Sequence, residues 1–316
     1  MNAPNASAAL EDFDTQVIGP VCVDINVDHT GKTTRAVGGA VICAAAAAAS
    51  LGHSVQAVAT VAAADRGLLS HFPASVRQVV PVGSAHTASI RNEYATADQE
   101  RRTSSAISYA DAIGAADVPA CSARIQHLAG LMVGDYAPEL VQTLSQRGDL
   151  AVDMQGFIRQ RVPGSNLLRF MEFKHGADFY SHIRFLKVDT AEGEHLTGRT
   201  DRRDIARALK DQGADEIMVS NAREILILDD SGFHVCPLRP RSLAGRTGRG
   251  DTVFSAYITE RIGHDVDQSL LTACATVSLK METPGPLVCG RGDIEAYLRR
   301  FYADLADMAH HDGGNR

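Results

Sequence analysis

The 316-residue sequence predicts an α/β fold, a mostly parallel central sheet with helices on both faces plus a small β lid. Three observations carry this. Short apolar runs of buried-strand length alternate with helix-like stretches, and those helices end on glycine. Two polar, Thr- and Ser-rich stretches fit neither pattern. Strands buried on both faces read as continuous apolar runs, as a parallel sheet sandwiched between helices requires.

Taken in order, Thr15 to Val23 and Val55 to Val61 are β-branched runs. Gln126 to Val133, Leu150 to Met154, Ile183 to Val188 and Glu216 to Ser220 are short apolar runs. Between them the spacing predicts helices over Ala40 to Leu51, Pro138 to Arg147 and Arg202 to Gln212, closed by Gly52, Gly148 and Gly213. Glycine enters the left-handed region that ends a helix without a Cβ penalty. The last third is helical over Asp251 to Ile262, Val266 to Glu282 and Asp293 to Ala309. The exceptions, His29 to Val37 and His86 to Tyr109, alternate partly at period two and predict exposed strands off the main sheet, as a flap over a site or a surface hairpin. No Pro-, Gly- or Ser-rich linker divides the chain, so one domain over 14–310 is expected, with lid strands from 24–37 and 86–110 and tails at 1–13 and 311–316.

Composition narrows the function classes. With 31 Lys+Arg against 38 Asp+Glu the chain is acidic and lacks a basic stripe, which argues against nucleic acid as a partner. The longest apolar run, Ala40 to Ser50, is too short to span a bilayer, and the start lacks the basic and apolar regions of a secretory signal. Six cysteines stand singly, as reduced thiols of a cytoplasmic protein rather than a zinc site or disulfide scaffold.

Chemistry concentrates in Gly245 to Ile262, where a Gly-x-Gly-Asp turn opens a helix. Free N–H groups at a helix start, aided by the dipole, form an anion site, and Asp251 beside it would repel an anion unless it serves chemistry. Two readings stand side by side: an Asp N-cap on a glycine turn, or a general base taking a hydroxyl proton while N–H groups hold phosphoryl charge.

The whole segment resembles the D-T-x-G-A-G-D signature of the ribokinase-like (PfkB) carbohydrate kinases. Gly248, Gly250 and Asp251 match it, while Gly245, Arg246 and Arg249 replace its Asp, Thr and Ala. The resemblance implies that Asp251 is the catalytic base, that the backbone of Gly248 to Gly250 is the anion hole, and that Arg249 either contacts phosphate or faces solvent. Gly19-Pro-Val-Cys-Val-Asp24 resembles the family's first-strand G-x-x-x-x-D, which makes Asp24 the holder of acceptor hydroxyls. Gly38-Gly39 resembles its di-glycine signature, with Cys43 where an Asn is expected. Asp189-Thr-Ala-Glu192 resembles N-x-x-E, implying that Glu192 holds hydrated Mg²⁺ through water near the donor phosphates. Ser220-Asn-Ala-Arg-Glu-Ile225 stands where T-x-G-x-x-G is usual, keeping the hydroxyl and losing both glycines. Asp153-Met-Gln-Gly-Phe-Ile-Arg159 and Ser278 to Pro286 look like segments of one branch of the family, the second by the adenine pocket in its members.

The expectation is therefore an ATP- and Mg²⁺-dependent kinase acting on a hydroxyl of a sugar or cyclitol, with a homodimer through the lid by family habit. A nucleoside kinase and a non-catalytic, metabolite-binding descendant are the alternatives. Arg101-Arg102, in the expected lid, is either a charged surface or a clamp on substrate or phosphoryl group. Thr30-Gly31-Lys32-Thr33 mimics the end of a phosphate-binding loop but opens no helix, and is expected to be a lid turn.

Overall fold

A computed structural model describes residues 12–96, 102–174 and 176–305. Strands β1 (Asp12–Pro20), β4 (Val55–Ala62), β5 (Gln78–Ser84), β8 (Ser122–Leu128), β9 (Asp149–Asp153), β12 (Phe185–Asp189), β13 (Glu216–Ser220), β14 (Glu224–Leu228) and β15 (Phe233–Pro237) form one nine-stranded sheet. Its order is β15-β14-β13-β12-β9-β8-β1-β4-β5, with every strand running the same way except β14, which is antiparallel to both its neighbours. A second, four-stranded sheet is ordered β3-β2-β6-β7, from β2 (Cys22–Val27), β3 (Thr33–Gly38), β6 (Ala88–Tyr94) and β7 (Arg102–Ser108). A short hairpin joins β10 (Arg159–Arg161) to β11 (Leu168–Phe170).

Alternate residues of the large sheet feed two helical layers, which is the reason for its apolar runs. Ile18, Val58, Ile217 and Val219 face α2 (Leu140–Ser145), α4 (Ala177–Tyr180) and α6 (Arg202–Lys210). On the other face Val17, Ala57, Ala59 and Met218 join the layer of α1 (Ala40–Ser50), α7 (Arg249–Glu260), α8 (Val266–Lys280) and α9 (Arg291–Phe301). Two further helices, α3 (Gln155–Ile158) and α5 (Thr190–Thr197), follow β9 and β12 directly. Every residue of α1 is buried, and its alanines let α7 approach until Ser255 Oγ donates to Ala44 O at 2.7 Å. Small side chains in one helix thus set the position of the next.

Four expectations need correction. The run Thr15 to Val23 is two strands, because the chain leaves the large sheet after Pro20 and enters the lid at Cys22; Asp24 is a lid residue, not the end of a core strand. Strand β1 begins at Asp12, inside the stretch expected as a tail. After Ser220, where no further strand was expected, a tight turn leads into antiparallel β14 and then β15. The final helix starts earlier, at Arg291, and is interrupted at Tyr302, with residues 303–305 helical again and 306–309 outside the described residues. Residues 1–11, 97–101 with Arg101, 175 and 306–316 lie outside the described residues. No helix among the described residues is long and apolar enough to cross a membrane.

Candidate active site

Strands β1, β9, β12 and β13 end at one edge of the large sheet, the edge where ligands bind in open α/β folds. There, beneath the lid, lie two adjoining cavities of about 310 Å³ each. The first is walled by Asp24, Gly38, Gly39, Cys43 and Asn92; the second by Lys187, Asp189, Glu192, Ser220, Arg246, Arg249 and Gly250. Thr247, Gly248 and Asp251 stand on the wall common to both.

That wall is the start of α7. Gly248 is its N-cap, with φ +82°, a left-handed conformation that suits glycine; a Cβ there would also lie 2.5 Å from Cys43 Sγ. Gly245 is required for another reason: a Cβ would come within 1.9 Å of Thr283 O. The turn is fastened from below by buried Lys280, whose ammonium donates to Gly245 O at 2.5 Å and to Thr247 O. Asp251, in the first turn, is half-buried. Desolvation, reinforced by Asp153, pushes its carboxyl up to about 6 against the opposing pull of Lys187, Lys280 and Arg102.

In the first cavity the starts of two helices converge, since Gly39 caps α1 as Gly248 caps α7. Gly39 has φ +107°, and a Cβ would stand 2.7 Å from Pro20 O, so the backbone there is bare toward the cavity. Asp24 is held up from its ordinary pKa by desolvation, eased by the Cys22 thiol and by Arg102 and Arg159. Cys43 lies packed beneath Gly248; burial and then Asp251 push its thiol up to about 12, so it contributes shape rather than a nucleophile.

The second cavity is lined by charges of both signs, Arg102, Lys187, Arg246 and Arg249 with Asp189, Glu192 and Asp251. Lys187 Nζ donates to Asp153 Oδ2 at 2.9 Å, sits 3.7 Å from Glu192 Oε2, and would meet a Cβ on Gly250 at 3.1 Å. Burial opposes its charge, but Asp153 and Glu192 outweigh burial and keep it protonated. Asp189 and Glu192 form a reciprocal cap of α5: Glu192 N donates to Asp189 Oδ1 at 2.8 Å and Asp189 N to Glu192 Oε2 at 2.7 Å. Asp189 Oδ2 and Glu192 Oε1 take no hydrogen bond among the described residues. Such a pair fits Mg²⁺, which keeps most of its water and needs only one or two carboxylates beside phosphate oxygens. No cluster of three metal-ligating side chains exists among the described residues. Ser220 reaches the cavity wall, but beyond it Asn221 Oδ1 accepts from Arg223 N and Glu224 N and turns the chain straight back.

All eleven residues expected at the site therefore gather around these cavities: Asp24, Gly38, Gly39, Cys43, Asp189, Glu192, Ser220, Gly248, Arg249, Gly250 and Asp251. Arg102, of the expected clamp, borders both cavities. The sequence analysis did not single out Lys187, and gave no role to Gln155, Arg159 or Lys280. Lys187 had a signal, a lone cation two residues before Asp189 in an apolar strand and so on the same face. The segment Ser278 to Pro286 is placed differently from expectation, since Pro284, Gly285 and Pro286 line the first cavity.

The sequence model of the pfkB family of carbohydrate kinases matches residues 16–289. No curated protein sequence matches. Among solved structures, a pyrophosphate-dependent kinase in the ribokinase family, complexed with a pyrophosphate analogue and myo-inositol, is 31% identical with a TM-score of 0.81, over 89% of this chain and 99% of that one. A pyrophosphate-dependent myo-inositol-1 kinase converted by two substitutions into a myo-inositol-3 kinase is 30% identical, with a TM-score of 0.81 over 90% of this chain and 99% of that one. Ribokinase from Arabidopsis thaliana, complexed with ribose and ATP, shares the fold at 15% identity, with a TM-score of 0.69 over 92% and 99%.

Proposed function

The chain belongs to the pfkB family of carbohydrate kinases, and from that premise we propose that it phosphorylates a hydroxyl of a cyclitol or sugar with Asp251 as general base and pyrophosphate as donor. The observation that carries the reading is the position of Asp251 on the wall between the two cavities, in the first turn of α7 beside Gly248 and Gly250.

In this mechanism the acceptor lies in the first cavity, its hydroxyls held by Asp24 and its ring against the bare backbone of Gly38 and Gly39. Asp251 takes the proton as the hydroxyl oxygen attacks phosphorus and the bond to the leaving phosphate breaks. The amides at the start of α7, with Lys187 and Arg249, stabilise charge on the phosphoryl oxygens. A carboxyl raised to about 6 suits the task, being ionised near neutrality yet more basic than an exposed aspartate. Mg²⁺ bound through water at Asp189 and Glu192 would neutralise charge on the donor phosphates.

Pyrophosphate is preferred to the ATP of the sequence expectation for three reasons. The second cavity is small, and most of its wall is polar. A tight turn at Asn221 stands where a glycine loop was usual. The solved relatives at 30–31% identity are pyrophosphate-dependent kinases. The test is a donor panel (pyrophosphate, tripolyphosphate, ATP) crossed with myo-inositol, ribose and nucleosides. Pyrophosphate with a cyclitol or sugar should exceed every ATP arm by about tenfold or more in kcat/KM. Faster turnover with ATP would reinstate the nucleotide, and a nucleoside preferred as acceptor would favour the nucleoside kinase. Binding without turnover in any arm would make the protein a non-catalytic descendant.

A further inference from the structure

The segment from Asp153 to Arg159 leaves β9, makes the single turn of α3 and enters β10. Its first residue is engaged, since Asp153 accepts from Lys187 and from Gln155 N. Its last is not. Arg159 is 8% exposed, and among the described residues its guanidinium meets no hydrogen-bond acceptor and no carboxylate at ion-pair distance. Asp24 and Glu192 act on it only through space, and Asp135 is turned to Leu131 N and Met132 N. Desolvation and then Arg102 lower the guanidinium to about 10, only partly offset by Cys22, Glu192 and Asp24.

A guanidinium on a largely buried side chain that reaches cavities rather than protein acceptors is placed to take its acceptors from a ligand. Arg159 lines the first cavity beside Asp24, and it also lines a side lobe of about 290 Å³ between β7, the β10–β11 hairpin and the start of α5. Arg102, on lid strand β7, borders that lobe and both main cavities. Arg102, on the lid, therefore borders all three spaces, and Arg159, in the body of the protein, shares two of them with it.

We propose that Arg159, joined by Arg102 from the lid, is a seat for an oxyanion, separate from the glycine amides at α7. A guanidinium presents paired N–H donors matched to phosphate or carboxylate oxygens. The oxyanion has two sources, the donor's phosphates or an anionic group on the acceptor side, such as the phosphate newly attached to it. The proposal deepens the kinase reading and rests on it for the identity of the cleft, but its test measures binding without turnover.

Isothermal titration of wild type, Arg159→Gln and Arg159→Lys would use pyrophosphate, a cyclitol monophosphate and the neutral cyclitol. Arg159→Gln should weaken an anionic probe about tenfold or more, Arg159→Lys should weaken it less, and the neutral cyclitol should bind all three alike. A loss confined to pyrophosphate places the seat on the donor side, and a loss confined to the monophosphate places it on the acceptor side. Because the unpartnered charge opposes folding, ligand-free Arg159→Gln should melt no lower than wild type. An unchanged affinity for both anions, an equal loss for the neutral cyclitol, or a clear fall in melting temperature would each overturn the seat. Wild type binding neither anion would refute it as well, while the donor panel could still show turnover, so the two readings fail separately.

Discussion

Helix α7 carries a carboxylate near each end, and the two are opposites. Glu260 at its C-terminus is 1% exposed and fully engaged: Arg291 meets both of its oxygens, at 2.9 and 3.0 Å, and His53 Nε2 lies 3.0 Å from Oε1. Desolvation would raise it, but the hydrogen bonds from His53 and Arg291 win and hold it at about 2. Asp251 at the N-terminus has no ion-pair partner within 4 Å among the described residues, opens onto two cavities and is pushed up to about 6. A carboxylate at the negative end of a helix dipole needs cations to be tolerated, whereas one at the positive end can stay unpaired and reactive. The first is built for stability and the second for chemistry.

The sharpest way to break this contrast is Asp251→Asn. Turnover should fall by about 10²–10⁴ while donor affinity changes little, which steady-state kinetics with pyrophosphate titration would read. Stability should move the other way. The folded pKa of Asp251 lies above its unfolded value, so the proton binds the native state better and the penalty is fully present once pH exceeds about 6. Removing the charge should raise stability at pH 8 by about 2 kcal/mol, and by little at pH 4. In wild type, activity should climb with pH through about 6 as the base ionises. Near-normal turnover of the variant would end the base assignment.

Glu260→Gln probes the other end. It strips the acceptor from His53 and Arg291 and should cost about 3 kcal/mol by urea unfolding, with kcat per folded molecule unchanged. Here the folded pKa lies below the unfolded one, so the contribution is complete above the ordinary glutamate range and is lost as pH falls toward 2. The variant's stability should therefore be flatter than wild type across that acid window. A loss of kcat without a loss of stability would show the two ends to be less separate than their partners imply.

What sequence could reveal divides along the same line. The turn before Asp251 was legible because its glycines are locally required, by a left-handed φ at Gly248 and by Thr283 O against Gly245. The di-glycine before α1 was legible for the same reason at Gly39. Lys187 and Arg159 acquire meaning only from segments far away in the chain: Asp153 lies 34 residues before Lys187, and the cavity facing Arg159 needs the lid. The split of 15–23 between two sheets was hidden because both halves are apolar and extended, and no residue type marks a change of sheet. Strand β14 was obscured because Ser220 to Ile225 matched the position of a phosphate loop, although Glu224 to Leu228 is plainly β-prone.

The arginines of α7's two ends supply the smallest test. Arg291 grips Glu260 bidentately, and its role is spent inside the fold. Arg249, the first residue of α7, lines the donor cavity where the family signature has alanine. Arg249→Ala should therefore leave melting temperature nearly unchanged and raise the KM for pyrophosphate about fivefold, the scale of one partly screened ion pair, with kcat within about twofold. The effect should shrink as ionic strength rises, because charge in a cavity open to solvent is screened over about 8 Å at physiological salt. An unaltered KM at low salt would make Arg249 a solvent-facing charge and leave phosphate binding to Lys187 and the amides of Gly248 to Gly250.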